Sequence, residues 1–283
     1  MTGAHGMLGT DVCTTLAQHE IEYTAVGRAD LDLMDQDAVR KAVSGHDVVV
    51  NCAAWTAVDL AEEFTQQAFD VNATAAGVLA RAAHWHDARI IQVSTDYVFA
   101  GDADSPYAED APLHPRSAYG RGKAAGEWAV RAEAPRHHLV LRTGWLYGAH
   151  GSCFPRTIAR VAREQGGVDV VDDQFGQPTW TMDVADLMIR LVQSDAPSGI
   201  WHATSSGETS WCGFAREVVV AAGLSPDVVS PTHSHAAGRA APRPAYSVLG
   251  HGRLHEHGLE PIGPWQERWS VAASEVLGVD ELE

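Results

Sequence analysis

Within Ser117-Ala118-Tyr119-Gly120-Arg121-Gly122-Lys123, a phenol and an ammonium stand four residues apart. On a helix that spacing puts both on one face, one turn apart. A free phenol ionises near ~10, which makes it too weak an acid to trade protons at neutral pH. A neighbouring ammonium stabilises the phenolate and lowers that value, which would make Tyr119 a usable acid. Both residue types are also common on solvated helix faces. The pair therefore acquires meaning only from the elements that position it.

Composition limits those elements. At 283 residues, one large domain or two intimately joined ones is expected, and a 45% hydrophobic content supplies a buried core. The formal net charge of -17 argues against a nucleic-acid partner. An anionic ligand must then be held locally, by backbone amides and a few arginines. No apolar run approaches the roughly twenty residues of a membrane span, and no signal peptide is visible, so no membrane partner and a cytoplasmic location are expected. Cys13, Cys52, Cys153 and Cys212 lack CxxC spacing and are expected as reduced thiols. The close histidine groups are His84/His86, His137/His138, His233/His235 and His251/His255/His257. None falls in a metal motif such as HExxH, so they are expected as solvated surface residues and no metal ligand is assigned.

The chain opens with Gly3, Gly6 and Gly9 in GxxGxxG spacing, leading into a helical pattern at Leu8, Val12 and Leu16. Glycines let a backbone turn sharply and approach a pyrophosphate, whose charge sits at a helix N-terminus. Glu22 to Gly27 reads as a short strand followed by Arg28. An acidic residue ending that strand would hold the ribose hydroxyls of NAD, whereas an arginine suits the 2′-phosphate of NADP. His46 to Ala54 is a continuous apolar run ending in small residues, as a doubly covered parallel strand requires. A long helical region is expected from about Val58 to His86. Strands follow at Arg89–Val93, ending in Ser94-Thr95, and at Leu139–Thr143, with the Tyr119/Lys123 helix between them. Strands alternating with helices imply an α/β fold, a Rossmann-type doubly wound parallel sheet.

The glycine turn, the Ser94-Thr95 hydroxyls and Tyr119/Lys123, in that order, resemble an extended short-chain dehydrogenase/reductase. The segments Asn51–Asp59, Ser94–Phe99, Arg142–Gly148, Asp173–Thr179 and Arg243–Leu249 are similar to the dTDP-4-dehydrorhamnose reductase family, over nearly the whole chain. That resemblance implies NADPH-dependent reduction, with NADH possible, of the 4-keto group of a dTDP-linked 4-keto-6-deoxy sugar. It makes Thr95, Tyr119 and Lys123 catalytic: Tyr119 protonates the carbonyl oxygen, Thr95 orients it, and Lys123 holds the nicotinamide ribose and depresses the tyrosine pKa. The cofactor would lie on Gly3, His5, Gly6, Met7, Leu8, Gly9, Arg28, Asp30, Leu31, Ala53, Ala54 and Thr56, together with Tyr119 and Lys123. The sugar nucleotide would meet Thr95, Asp96, Tyr97, Val98, Trp145 and Arg243, the last on the diphosphate. Some members use magnesium, but no residues here are assigned to it.

Residues 1–147, joined by about 181–204, are expected as the dinucleotide-binding domain. Residues 148–180 and 205–283 are expected as a smaller C-terminal substrate lobe. A monomer or homodimer is expected. Two other activities stay open: a nucleotide-sugar 4-epimerase, and a non-catalytic regulatory subunit of the same fold. A dehydratase would need Thr-Asp-Glu where this chain has Thr95-Asp96-Tyr97. Only Met1-Thr2 precede Gly3, where a strand of about five residues is normal. The first β-strand is therefore apparently missing, and a further N-terminal strand of the Ile/Leu/Val type is expected.

Overall fold

A computed structural model describes residues 1–278, the side chains of Ala236 and Ala237 aside. Helix α1 (Met7–Gln18) springs from the glycine turn and buries Leu8 and Val12. Helix α2 (Gln36–Val43) is capped by Asp35, whose carboxylate accepts the Asp37 and Ala38 amides. Strand β1 (Val48–Asn51) follows. The helix expected over 58–86 is broken into α3 (Leu60–Glu63), α4 (Thr65–Phe69), a π-helical turn at Asp70–Thr74, and α5 (Ala75–Trp85). The cause is local. Buried Asn72 takes the Trp55 amide on Oδ1 (2.9 Å) and gives Nδ2 to the Trp55 carbonyl (3.1 Å), and the widened turn accommodates that pair.

Strand β2 (Arg89–Thr95), helix α6 (Ala118–Glu133) and strand β3 (His138–Thr143) come next, close to their expected bounds. Then follow β4 (Leu146–Tyr147), α7 (Phe154–Gln165), β5 (Val168–Val171), β6 (Phe175–Gly176), β7 (Thr179–Trp180), α8 (Thr181–Gln193) and β8 (Gly199–His202). The last described elements are β9 (Thr209–Ser210), α9 (Trp211–Ala221), β10 (Val229–Thr232), α10 (Gly252–Glu256) and α11 (Trp265–Leu277).

The main sheet is parallel, in the order β1-β2-β3-β8. Successive strand residues bury on opposite faces. Val50, Ile91 and Leu139 pack under α1 and α8 with Leu8, Val184 and Leu187. Val49, Ile90 and Val140 pack under α2, α5 and α6 with Val39, Leu79 and Val130. This is the doubly wound arrangement, with both faces covered. A separate core gathers α7, α9 and α11 around Tyr147, Ile158, Phe214, Trp265 and Trp269. The expected lobe end at 279–283 lies outside the described residues.

Beyond β1 the sheet continues as single bridges. Thr2 bridges in parallel to both Asn51 and Val26. Its amide donates to the Val50 carbonyl (2.9 Å), and the Val26 amide donates to the Met1 carbonyl (2.9 Å). Thr2 thus holds the position from which the chain departs to either side, the switch point of an open α/β sheet. The strand expected over Glu22–Gly27 is reduced to the bridge at Val26. Beside Met1 lies a cavity of about 640 Å³, lined by Val12, Leu16, Ile21, Val48, Ile91 and Met188 among others.

Two histidines depart from the solvated expectation. His138 and His202 are buried, each with Nδ1 2.7 Å from a carbonyl, Ala134 and Gly250 respectively. All four cysteines are free. Among the described residues no group of three or more His, Cys, Asp or Glu could hold a metal ion. No described helix is long and apolar enough to cross a membrane.

Candidate active site

The glycine turn is built by contact as much as by conformation. Gly3 has φ +68°, and a Cβ there would lie 2.5 Å from the Ala53 amide nitrogen. A Cβ on Gly9 would lie 2.0 Å from the Gly3 carbonyl oxygen, so only glycine lets α1 start against this loop. The amides at the start of α1 therefore lie at the carboxyl edge of the sheet beside Ala53, where a dinucleotide pyrophosphate fits. His5 and Asp30 are exposed and 4.0 Å apart at the nearest atoms. The Asp30 carboxylate accepts the Gly27 amide at 2.7 Å, while Arg28 is exposed.

Tyr119 is brought to the end of β2 by its helix. Ser117 caps α6, accepting the Gly120 amide on Oγ at 3.0 Å. A Cβ on Gly120 would sit 2.3 Å from the Tyr97 carbonyl oxygen, so the missing side chain allows the helix to meet the turn after β2. Gly126 does the same against the Asn72 carbonyl oxygen, at 2.1 Å. The Tyr97 and Tyr119 rings meet edge to face, with centroids 5.5 Å apart. Tyr119 stands beside the Thr95 side chain. Thr95 in turn donates to Asp96 Oδ1 (2.9 Å) and accepts the Tyr97 amide (3.2 Å).

Electrostatically the site departs from the sequence expectation. Burial pushes the Tyr119 phenol up to about 12. Burial outweighs the depression expected from Lys123, whose Nζ donates to the Val93 carbonyl at 2.6 Å. Lys123 is 3% exposed, and burial lowers it to about 8, with Glu127 the largest opposing influence. Glu127, one turn further along α6, forms a bidentate pair with Arg142 of β3 (Nε–Oε1 2.9 Å, Nη2–Oε2 2.8 Å). Both side chains are essentially unexposed, and Ser94 donates to the same carboxylate at 2.5 Å. A buried carboxylate one turn from a buried ammonium favours its charged form.

Trp145 has φ +49°, uncommon for a bulky residue, and its ring stacks on Trp211 at 3.5 Å and 5°. A Cβ on Gly176 would strike the Trp145 ring at 2.4 Å, and one on neighbouring Gly144 would lie 2.9 Å from Asp96 Cγ. Arg243 lines a cavity of about 240 Å³ with Tyr97, Phe99, Ser117 and Arg116, and its guanidinium lies 5.9 Å from the Tyr97 ring centroid. Val98 does not join them through its side chain, which is fully buried beside Phe99 and Leu249.

Sequence reading singled out Tyr119, Lys123, Thr95, Asp96, Trp145 and Arg243, and the fold gathers the first four at one sheet edge. It passed over Glu127, Arg142, Asp59, Trp211 and Ser247. The Lys123-to-Glu127 spacing was a usable signal, since it repeats that of Tyr119 and Lys123 on the same helix face. Trp211 gave none, because only folding brings it to Trp145.

A sheet wound this way, opened by a glycine turn and carrying a half-buried tyrosine and a buried lysine on one helix, is that of the NAD(P)-dependent oxidoreductases. Comparison with known proteins narrows the class. The family described as "RmlD substrate binding domain" matches residues 1–277. The chain belongs to the dTDP-4-dehydrorhamnose reductase family. It is 46% identical to a dTDP-4-dehydrorhamnose reductase of Streptomyces griseus, over 94% of this chain and 90% of the relative. It is 43% identical to a dTDP-4-keto-6-deoxy-D-glucose reductase of Streptomyces niveus, over 99% and 98%. A dTDP-4-dehydrorhamnose reductase of Bacillus anthracis, solved in complex with NADP, superposes with a TM-score of 0.92 at 32% identity, covering 96% of each chain.

Proposed function

We propose that this chain reduces the 4-keto group of a dTDP-linked 4-keto-6-deoxyhexose, dTDP-4-dehydrorhamnose or a close relative, with NADPH. The observation that carries the reading is the convergence of Thr95, Tyr119 and Lys123 at the end of β2, beside the glycine turn. When bound, the nicotinamide supplies the hydride to the carbonyl carbon. The residues present fit that cofactor: backbone without side chains at Gly3 and Gly9, and the buried Lys123 ammonium within electrostatic reach of Cys52 at the end of β1. Arg28 takes the 2′-phosphate, and Lys123 takes the ribose hydroxyls.

As negative charge grows on the carbonyl oxygen, Tyr119 gives it a proton and Thr95 donates a hydrogen bond. A phenol raised to about 12 holds its proton firmly in the resting site and releases it only to a strongly basic oxygen. Trp145 forms one wall of the sugar pocket, with Asp96 and Tyr97 near it, and Arg243 binds the diphosphate. In this reading residues 148–180 and 205–283 act as the substrate lobe and the protein works in the cytoplasm. The test is NADPH oxidation with dTDP-4-dehydrorhamnose, followed by analysis of the sugar product. Absence of any 4-hydroxy sugar across a panel of dTDP-4-keto-6-deoxy sugars contradicts the proposal.

A further inference from the structure

Thr95 has one hydroxyl proton and two lone pairs. The proton goes to Asp96 Oδ1 at 2.9 Å, and one lone pair takes the Tyr97 amide at 3.2 Å. A threonine whose only proton is held by a carboxylate has nothing to give a ligand oxygen. Asp96, 3% exposed, is a titratable group that the proposed reaction leaves without a proton-holding role, and its Oδ2 is buried without a hydrogen-bond partner.

We propose that Asp96 is a positioning residue that works in its neutral form, donating to Thr95 so that the Thr95 and Tyr119 hydroxyls are both free to meet the substrate carbonyl oxygen. The inference rests on Thr95 and Tyr119 acting on a carbonyl as proposed above. The count then closes. A neutral Asp96 gives its O–H to the Thr95 lone pair that the Tyr97 amide leaves open. Thr95 keeps the Tyr97 amide on the other lone pair and turns its own proton outward. A ketone oxygen has two lone pairs, one for Thr95 and one for Tyr119. As a carboxylate, Asp96 instead reclaims the Thr95 proton and the resting pattern returns.

The surroundings favour the neutral form. The groups facing Asp96 are Thr95 and Tyr97 from its own turn, Tyr119 from α6, Gly144 beyond β3, and Ser247 from the segment after Arg243. The arginines nearby, Arg239 and Arg243, act on Tyr97. Burial raises this carboxyl to about 6, against the opposing influence of the nearby Ser247 and Thr95 hydroxyls.

The pH dependence of kcat/KM tests the proposal, with NADPH and dTDP-4-dehydrorhamnose between pH 5.5 and 8.5. In the unaltered protein kcat/KM should fall at least about ten-fold as pH rises past the Asp96 value, well below any change due to Lys123. Asp96→Asn presents a permanent N–H donor, so its activity should be lower but lack that limb. Asp96→Ala, with no donor, should be about ten-fold or more worse than Asp96→Asn at pH 6. A flat profile in the unaltered protein, which needs no variant to fold, overturns the proposal. So does an Asp96→Asn variant that keeps the limb, or equal losses in both variants. No turnover at any pH refutes the reductase reading itself, and this inference with it.

Discussion

Asp59 holds Arg243: its carboxylate accepts Nη2 at 2.7 Å and, on the other oxygen, the Ala241 amide at 3.0 Å. The pair ties the segment after β1 to the segment that lines the 240 Å³ cavity. Asp59 is 42% exposed in its side chain, so the bond is screened and worth about 1 kcal/mol or less. A diphosphate offers the same fork more charge and can displace the carboxylate. Arg243→Ala should therefore weaken binding of dTDP, measured calorimetrically, by about ten- to a hundred-fold. Asp59→Asn should tighten it several-fold, since it removes the competing charge. Unchanged dTDP affinity in Arg243→Ala would place the diphosphate elsewhere.

The Glu127–Arg142 pair beneath Lys123 should be among the costliest polar interactions to break. Either charge left alone would be buried without a partner, which costs about 3–5 kcal/mol. Glu127→Gln and Arg142→Met should each lower the urea midpoint by a corresponding amount. The double variant should recover part of the loss, because no lone charge then remains. Additive losses would contradict the coupling read from the geometry.

Lys123 links cofactor affinity to pH. Burial holds it at about 8, below its ordinary 10.5. Below pH 8 it is charged in both folded and unfolded chains, and the full burial penalty is present. As pH rises from 8 toward 10.5 the folded chain sheds this proton first, so the lysine's contribution to stability improves. Cofactor binding through the ammonium runs the other way and should weaken above pH 8. The difference between the unaltered protein and Lys123→Met isolates both trends, in thermal midpoint and in NADPH titration. Parallel pH profiles in the two proteins would remove Lys123 from cofactor binding.

Arg28 is exposed, with Asp30 turned back onto the Gly27 amide beside it. Arg28→Ala should weaken NADPH more than NADH, by about 1–3 kcal/mol for the lost charged contact. Equal loss for both cofactors would leave Arg28 a bystander.

What the chain makes legible follows its local periodicity. The strands at Arg89–Thr95 and His138–Thr143 are built on the apolar stretches Ile90-Ile91 and Leu139-Val140-Leu141, buried on both faces, and the Tyr119 helix carries its own Ser117 cap. The interruption of the 58–86 helix was not legible. It depends on Asn72 reaching back to Trp55, a contact across seventeen residues that no helical period encodes. The direction of the Tyr119 pKa was misread for a related reason. Spacing places Lys123 beside the phenol, but the fold turns its ammonium to the Val93 carbonyl, and burial decides. The Trp145–Trp211 stack joins residues far apart in sequence, and only the packing of the second core reveals it.

The central claim is that Tyr119 delivers the proton in an NADPH-dependent 4-keto reduction. The most direct measurement is steady-state NADPH oxidation with dTDP-4-dehydrorhamnose for the unaltered protein and for Tyr119→Phe, with NADPH affinity titrated in both. The ring and its edge-to-face contact with Tyr97 persist in the variant, so only the hydroxyl is lost. The account predicts turnover lower by roughly two or more orders of magnitude, with cofactor affinity little changed. Near-normal turnover in Tyr119→Phe would contradict it.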